Sequence, residues 1–272
     1  RLENFHNKVK SALVEGVGFS FIRLGDGEGR VLGYPQYFTN QEVLSQVLYY
    51  HFGPESMHFI KRIKPNGWIS DSMHSLKEKL IISIQSADGI GVPVSEYFHM
   101  NENQDNLPQL AYACALNYGL SLSDDISAFF EGTNCFQMLA ANGDFFKEIC
   151  KYCDEIVIVG PWDIREKIKE NLPVKNVSFI KVPGHYTWRG ENGYGQFPKL
   201  YKYVEEKIFS MPEFSGKLFL VGAGIFGKYY CALIKSMGGV ALDVGSVFDS
   251  WEQKGRPEAV SYKNINLSKF KD

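Results

Sequence analysis

The chain has 272 residues, 44% of them hydrophobic and 22% charged, with a formal net charge of -2 and a pI near 6.4. That composition excludes a disordered or fibrous chain and supplies apolar surface for a large core. The near-neutral balance gives no global drive toward nucleic acid, and no nucleic-acid partner is expected.

Leu2, Phe5, Val9, Leu13 and Val14 recur at close to helical spacing and predict an amphipathic lead-in helix, broken by Gly16 and Gly18. Phe19, Phe21 and Leu24 then fall on nearly alternate positions, so a strand is expected to end at Gly25, with the acidic turn DGEGR directly after it. Helices are expected over 40–52 and 70–86, the second capped by Ser70 or Asp71, and ADGIGVPV reads as a short strand. Between 107 and 149 the pattern is mostly helical, with breaks at Gly119, Gly132 and Gly143. EIVIVGP, NVSFIKVPG, KLFLVGAG and VALDVGS are four further strand-like runs.

Strands ending in Gly or Pro and separated by helix-length segments predict an α/β fold. The expectation is a Rossmann-like, mainly parallel sheet with helices on both faces, forming a single domain over 1–272. Ligands bind such sheets beyond the carboxyl ends of the strands. The segments 26–30, 93–97, 161–165, 183–189, 222–228 and 245–249 are therefore where chemistry is expected.

In RLGDGEG, Asp26 and Glu28 are separated by one glycine at a strand end. Gly25 and Gly27 let the backbone approach a ligand closely, and the two carboxylates could share one hard divalent cation, Mn2+ or Mg2+, with a diphosphate. A cation there would stabilise a phosphate leaving group. Arg23 either pairs with phosphate or salt-bridges Asp26. The plainer alternative is a surface Asp-Gly turn.

Gly222, Gly224 and Gly227 have the G-x-G-x-x-G spacing between a strand and a helix, and Asp243 ends the next strand. Lys228 adds a positive charge beside this turn. The pattern suits NAD, which makes an NAD-dependent oxidoreductase the alternative reading, but a helix N-terminus serves any phosphate, and glycines also permit tight packing. Only 45 residues follow Gly227, too few for the second half of a dinucleotide domain.

FSFIRLGDGEGRVLGYP near the start, and LFLVGAGIFGKYYCALIKSMGGVALDVGSVFDSW near the end, resemble the two hallmark blocks of the GT-D fold family of bacterial glycosyltransferases. The late block matches through Gly222, Gly224, Gly227, Lys228, Gly238, Gly239, Asp243, Gly245, Ser246 and Asp249; some members carry histidine at the position of Ser246. The resemblance implies a metal-dependent transferase with Asp26 and Glu28 on the metal and a uridine diphosphate sugar as donor. The acceptor would be a glycan or lipid-linked glycan in surface polysaccharide or glycoprotein assembly. It also implies that the tail bearing Asp249, Trp251 and Arg256 closes over the nucleotide side, with Arg256 a candidate phosphate contact and Ser246 a candidate substrate contact; a solvated C-terminal arm is the alternative.

His185, in VPGHYTWRGENGYGQFP, is a candidate base for the acceptor hydroxyl, with Tyr186 and Trp188 suited to stacking on a sugar; a solvent loop is the alternative. Asp163 and Arg165 follow a strand end and either border the pocket or, for Asp163, cap a helix. The five cysteines are odd in number and scattered in apolar segments, and Cys150-x-x-Cys153 has no second pair to complete a zinc site. They read as reduced structural thiols in a cytoplasmic protein. No run reaches the roughly 18 apolar residues of a membrane span, so any membrane contact is expected to be peripheral.

Overall fold

The computed structural model describes residues 2–39, 42–43, 68–98, 107–123, 128–136, 144–182 and 200–252. Its strands are β1 (Phe19–Arg23), β2 (Gly89–Val92), β3 (Phe129–Gly132), β4 (Glu155–Gly160), β5 (Asn176–Lys181), β6 (Lys217–Val221) and β7 (Val240–Asp243). They form one seven-stranded sheet in the order β3-β2-β1-β7-β6-β4-β5, with every pairing parallel. The helices are α1 (Leu2–Glu15), α2 (Asp26–Gly33), α3 (Trp68–Ser86), α4 (Leu107–Leu122), α5 (Asp144–Cys150), α6 (Arg165–Asn171), α7 (Leu200–Phe209), α8 (Gly224–Ser236) and α9 (Val247–Glu252).

The strands are apolar because both faces of the sheet are covered, and their side chains sort by alternation. Phe19, Phe21, Ile156, Ile158, Leu218, Leu220 and Leu242 join one core with α1, α5, α6 and α9. Ile22, Val157, Val159, Phe219, Val221 and Ala241 join the other with α2, α3, α4, α7 and α8. The preference for right-handed crossovers explains this division. Steps running toward β3, such as β1 to β2 and β6 to β7, put their helices on one face; β3 to β4 and β4 to β5 run the other way and use the opposite face.

Since β4 leads outward to β5 while β6 leads back to β7, the chain reverses direction between β4 and β6, the topological switch point of the sheet. The aromatic ring of Phe248 lies over both strand ends there. An added Cβ at Gly160 or at Gly222 would stand 2.6 Å from its Cδ2 atom.

Several expectations change. The described part of 107–149 is mostly helix, as expected, but β3 interrupts it, pairing with β2 alone at the sheet edge. Gly119 does not break α4; it sits inside the helix because a Cβ there would press within 2.9 Å of Leu24. The helix expected over 40–52 falls almost wholly outside the described residues. Cys153 lies past the end of α5, its thiol directed at the Cys150 carbonyl, and all five cysteines are free.

Candidate active site

The acidic segment is helix, not turn. β1 ends at Arg23, Gly25 holds an extended backbone (φ -130°, ψ -161°), and Asp26 opens α2. Glu28 reaches back so that its Oε2 accepts the Gly25 N–H at 2.9 Å, satisfying a donor that the helix start would leave orphaned. Both acidic residues sit in the first turn, where the helix dipole favours negative charge. Asp26 is half-buried and Glu28 buried.

Two glycines of this segment make room for different neighbours. A Cβ at Gly27 would lie 3.4 Å from Ile225 of α8, and one at Gly29 would lie 1.7 Å from the Ala111 carbonyl oxygen of α4. The second contact is with backbone, so Gly29→Ala must push α2 and α4 apart. We expect a loss of about 2–3 kcal/mol, seen as a lower urea midpoint; an unchanged midpoint would contradict this packing.

The late glycine turn follows β6. Gly224 opens α8 at φ +59°, a left-handed conformation that favours glycine. Gly227 packs 3.3 Å from Val221, measured from an added Cβ, and holds α8 close to its strand. Gly222 is reserved for the Phe248 ring and the Gly245 carbonyl. Of the three glycines, at least two thus answer to packing within the protein.

Lys228 does not line the turn as a free cation. Its Nζ lies 2.6 Å from Glu28 Oε1 and 3.0 Å from Asp243 Oδ2, donates to the Gly224 carbonyl at 3.1 Å, and is buried. Burial pulls its pKa down, but Asp243 and Glu28 outweigh burial and the repulsion of Arg23, leaving it raised and the amine protonated. One ammonium therefore joins the first turn of α2, the first turn of α8 and the end of β7.

Asp243 is enclosed on all sides. It accepts the N–H groups of Arg23 (3.2 Å) and Gly245 (3.1 Å) besides pairing with Lys228, and its side chain is 1% exposed. It is therefore not presented to a ribose, which removes the acidic residue that the NAD reading required. Arg23 pairs with Asp243 (3.7 Å) rather than with Asp26, and also donates to the carbonyls of Asp243 (2.9 Å) and Thr133 (3.0 Å), tying β1 to β7 and to the end of β3. Gly245, at φ +54°, gives that guanidinium its room.

Ser246 is half-buried, and its carbonyl accepts the Asp249 N–H at the start of α9. Asp249 Oδ1 accepts the indole N–H of Trp162 at 2.7 Å, linking the segments after β7 and β4. Asp163 and Arg165 pair with each other on the exposed surface. His185 and Arg256 lie outside the described residues.

Tyr112 of α4 is a neighbour that the sequence did not single out. Burial raises its hydroxyl pKa, and the charges of Asp26 and Glu28, with Tyr97, raise it further against the pull of Arg30. Its ring lies 4.8 Å from that of Tyr97, in the segment after β2. The available signal was a tyrosine at the buried face of an apolar helix, which periodicity alone assigns to core.

The site thus rests on an all-parallel sheet, with the acidic first turn after β1 fastened to the glycine turn after β6. The chain belongs to the GT-D-like family, matching its GT-D fold-like domain over residues 1–251. Two solved structures share the fold at 14% identity and a TM-score of 0.52, covering 96% of this chain and 92% of theirs. One is a selenomethionine-substituted structure of domain of unknown function 1792; the other is described as that highly conserved domain having a distinct glycosyltransferase fold. A new glycosyltransferase of that domain from Streptococcus sanguinis aligns at 16% identity and a TM-score of 0.45, over 96% of each chain. No curated protein matches the sequence. Among the described residues no helix is long and apolar enough to cross a membrane.

Proposed function

We propose that this glycosyltransferase takes its sugar from a nucleoside diphosphate sugar, with uridine diphosphate as the nucleotide. The sugar goes to a hydroxyl of a glycan or lipid-linked glycan in surface polysaccharide or glycoprotein assembly, on the cytoplasmic side. The observation that carries the reading is the 2.6 Å pair between Glu28 and Lys228, which fastens the first turn of α2 to that of α8. Asp26 and the N–H groups opening α8 then front the same end of the sheet, a carboxylate beside a phosphate-favouring helix start.

A divalent cation, Mn2+ or Mg2+, fits this arrangement through Asp26. Among the described residues no three His, Cys, Asp or Glu side chains converge on a metal position. Phosphate oxygens of the donor and water would supply the other ligands, as is usual for Mg2+. When bound, the cation neutralises the diphosphate as it leaves. The chain itself orients the donor through α8, holds the carboxylate in place through α2, and presents Tyr97 and Tyr112 as an aromatic wall beside it. Removing the acceptor's proton is assigned to His185.

A thermal-shift panel tests the donor class. Uridine diphosphate with Mn2+ at about 100 times its Kd should stabilise the protein by about 2.7 kcal/mol, a shift of several degrees, and NAD should do nothing. Stabilisation by NAD alone would reverse the assignment.

A further inference from the structure

We infer that the two carboxylates of the acidic motif have different jobs: Asp26 faces the cation and diphosphate, while Glu28 is a positioning residue, the internal counter-ion of Lys228. The inference rests on the donor reading above, and its own evidence is the occupancy of Glu28. One oxygen accepts the Gly25 N–H at 2.9 Å and the other stands 2.6 Å from the Lys228 ammonium, within a side chain only 9% exposed.

Each oxygen of Glu28 is thus engaged within the protein. A cation on Glu28 would bring a second positive charge beside the buried Lys228 ammonium, which is unfavourable in a poorly solvated site. Asp26 is the more exposed of the two carboxylates. It sits two residues earlier in the same turn and is half-buried.

Lys228 completes the device. It also holds Asp243, which in turn holds Arg23 at the end of β1. The strand that delivers the acidic turn and the helix that opens at the glycine turn are thus locked through one ammonium, and Glu28 is the handle by which α2 is gripped.

The experiment compares Asp26→Asn, Glu28→Gln, Lys228→Met and the double variant Glu28→Gln/Lys228→Met. Binding of uridine diphosphate with Mn2+ is measured by calorimetry and by the paramagnetic signal of free Mn2+. Steady-state turnover and urea unfolding are followed alongside. Asp26→Asn should weaken binding by about 30-fold or more, whereas Glu28→Gln should stay within about threefold and lose about tenfold in kcat with donor KM little changed, the behaviour of a residue that orients another.

The unfolding cycle should be non-additive: the double variant loses less than the two single changes together, because it avoids leaving one buried charge unpaired. Loss of binding in Glu28→Gln as complete as in Asp26→Asn would overturn the assignment. If the wild-type protein binds no uridine diphosphate with Mn2+, the donor reading is what fails. The unfolding cycle then decides the positioning role by itself, coupling upholding it and simple additivity overturning it.

Discussion

Asp26→Asn should remove sugar transfer while leaving a folded chain. The substitution keeps the shape of the side chain at the start of α2 and deletes its charge. The structural cost includes the loss of a favourable helix-dipole term, about 0.3–1 kcal/mol. The functional cost is larger because a carboxylate that neutralises a cation and diphosphate acts on charge developing in the transition state. A contribution of roughly 3 kcal/mol there corresponds to about 100-fold or more in rate. Turnover with the donor sugar, measured beside an unfolding curve, separates the two. Retention of more than about a third of wild-type turnover would mean that Asp26 is no part of the chemistry.

Lys228→Met carries the largest expected stability loss. The change preserves an unbranched chain but leaves Glu28 and Asp243 buried without their shared cation. Breaking a buried pair by removing one partner costs about 3–5 kcal/mol, a large part of the 5–15 kcal/mol typical of a native protein. The melting temperature should fall by roughly 10 °C. The raised Lys228 pKa fixes how this depends on pH. Its contribution is fully present below the ordinary lysine range and is lost only as pH rises through the folded-state value. The gap between variant and wild type should therefore hold at neutral pH and narrow in strong alkali. A melting temperature within 2 °C of wild type at neutral pH, on a scale of about 2–4 °C per kcal/mol, would show that the ammonium is not the common tie of α2, α8 and β7.

Much of the sheet was legible in the sequence. Strands β4, β6 and β7 are buried on both faces, so they appear as short runs of Val, Ile and Leu between Gly and Pro. The strand β3 was not legible, because FFEG is four residues long, lies at the sheet edge and has no alternation to reveal it. Nor could the sequence distinguish a turn from a helix start at DGEG. The capping bond from Gly25 to Glu28 decides that, and it depends on where the side chain reaches in space.

The site divides in the same way. The family and the importance of the two glycine-bearing blocks followed from residue identity alone. The roles within them did not. Gly222 resembled a phosphate glycine and proves to accommodate the Phe248 ring; Asp243 resembled a ribose ligand and proves to be an internal anion; Lys228 resembled a phosphate contact and proves to be the counter-ion of both carboxylates.

By itself, then, the amino-acid order determined an α/β chain with parallel strands, because hydrophobic runs and glycine breaks are local properties. Only the tertiary structure decided which charges face one another. Residues 28, 228 and 243 are far apart along the chain, and their pairing exists only once β1, β6 and β7 lie side by side.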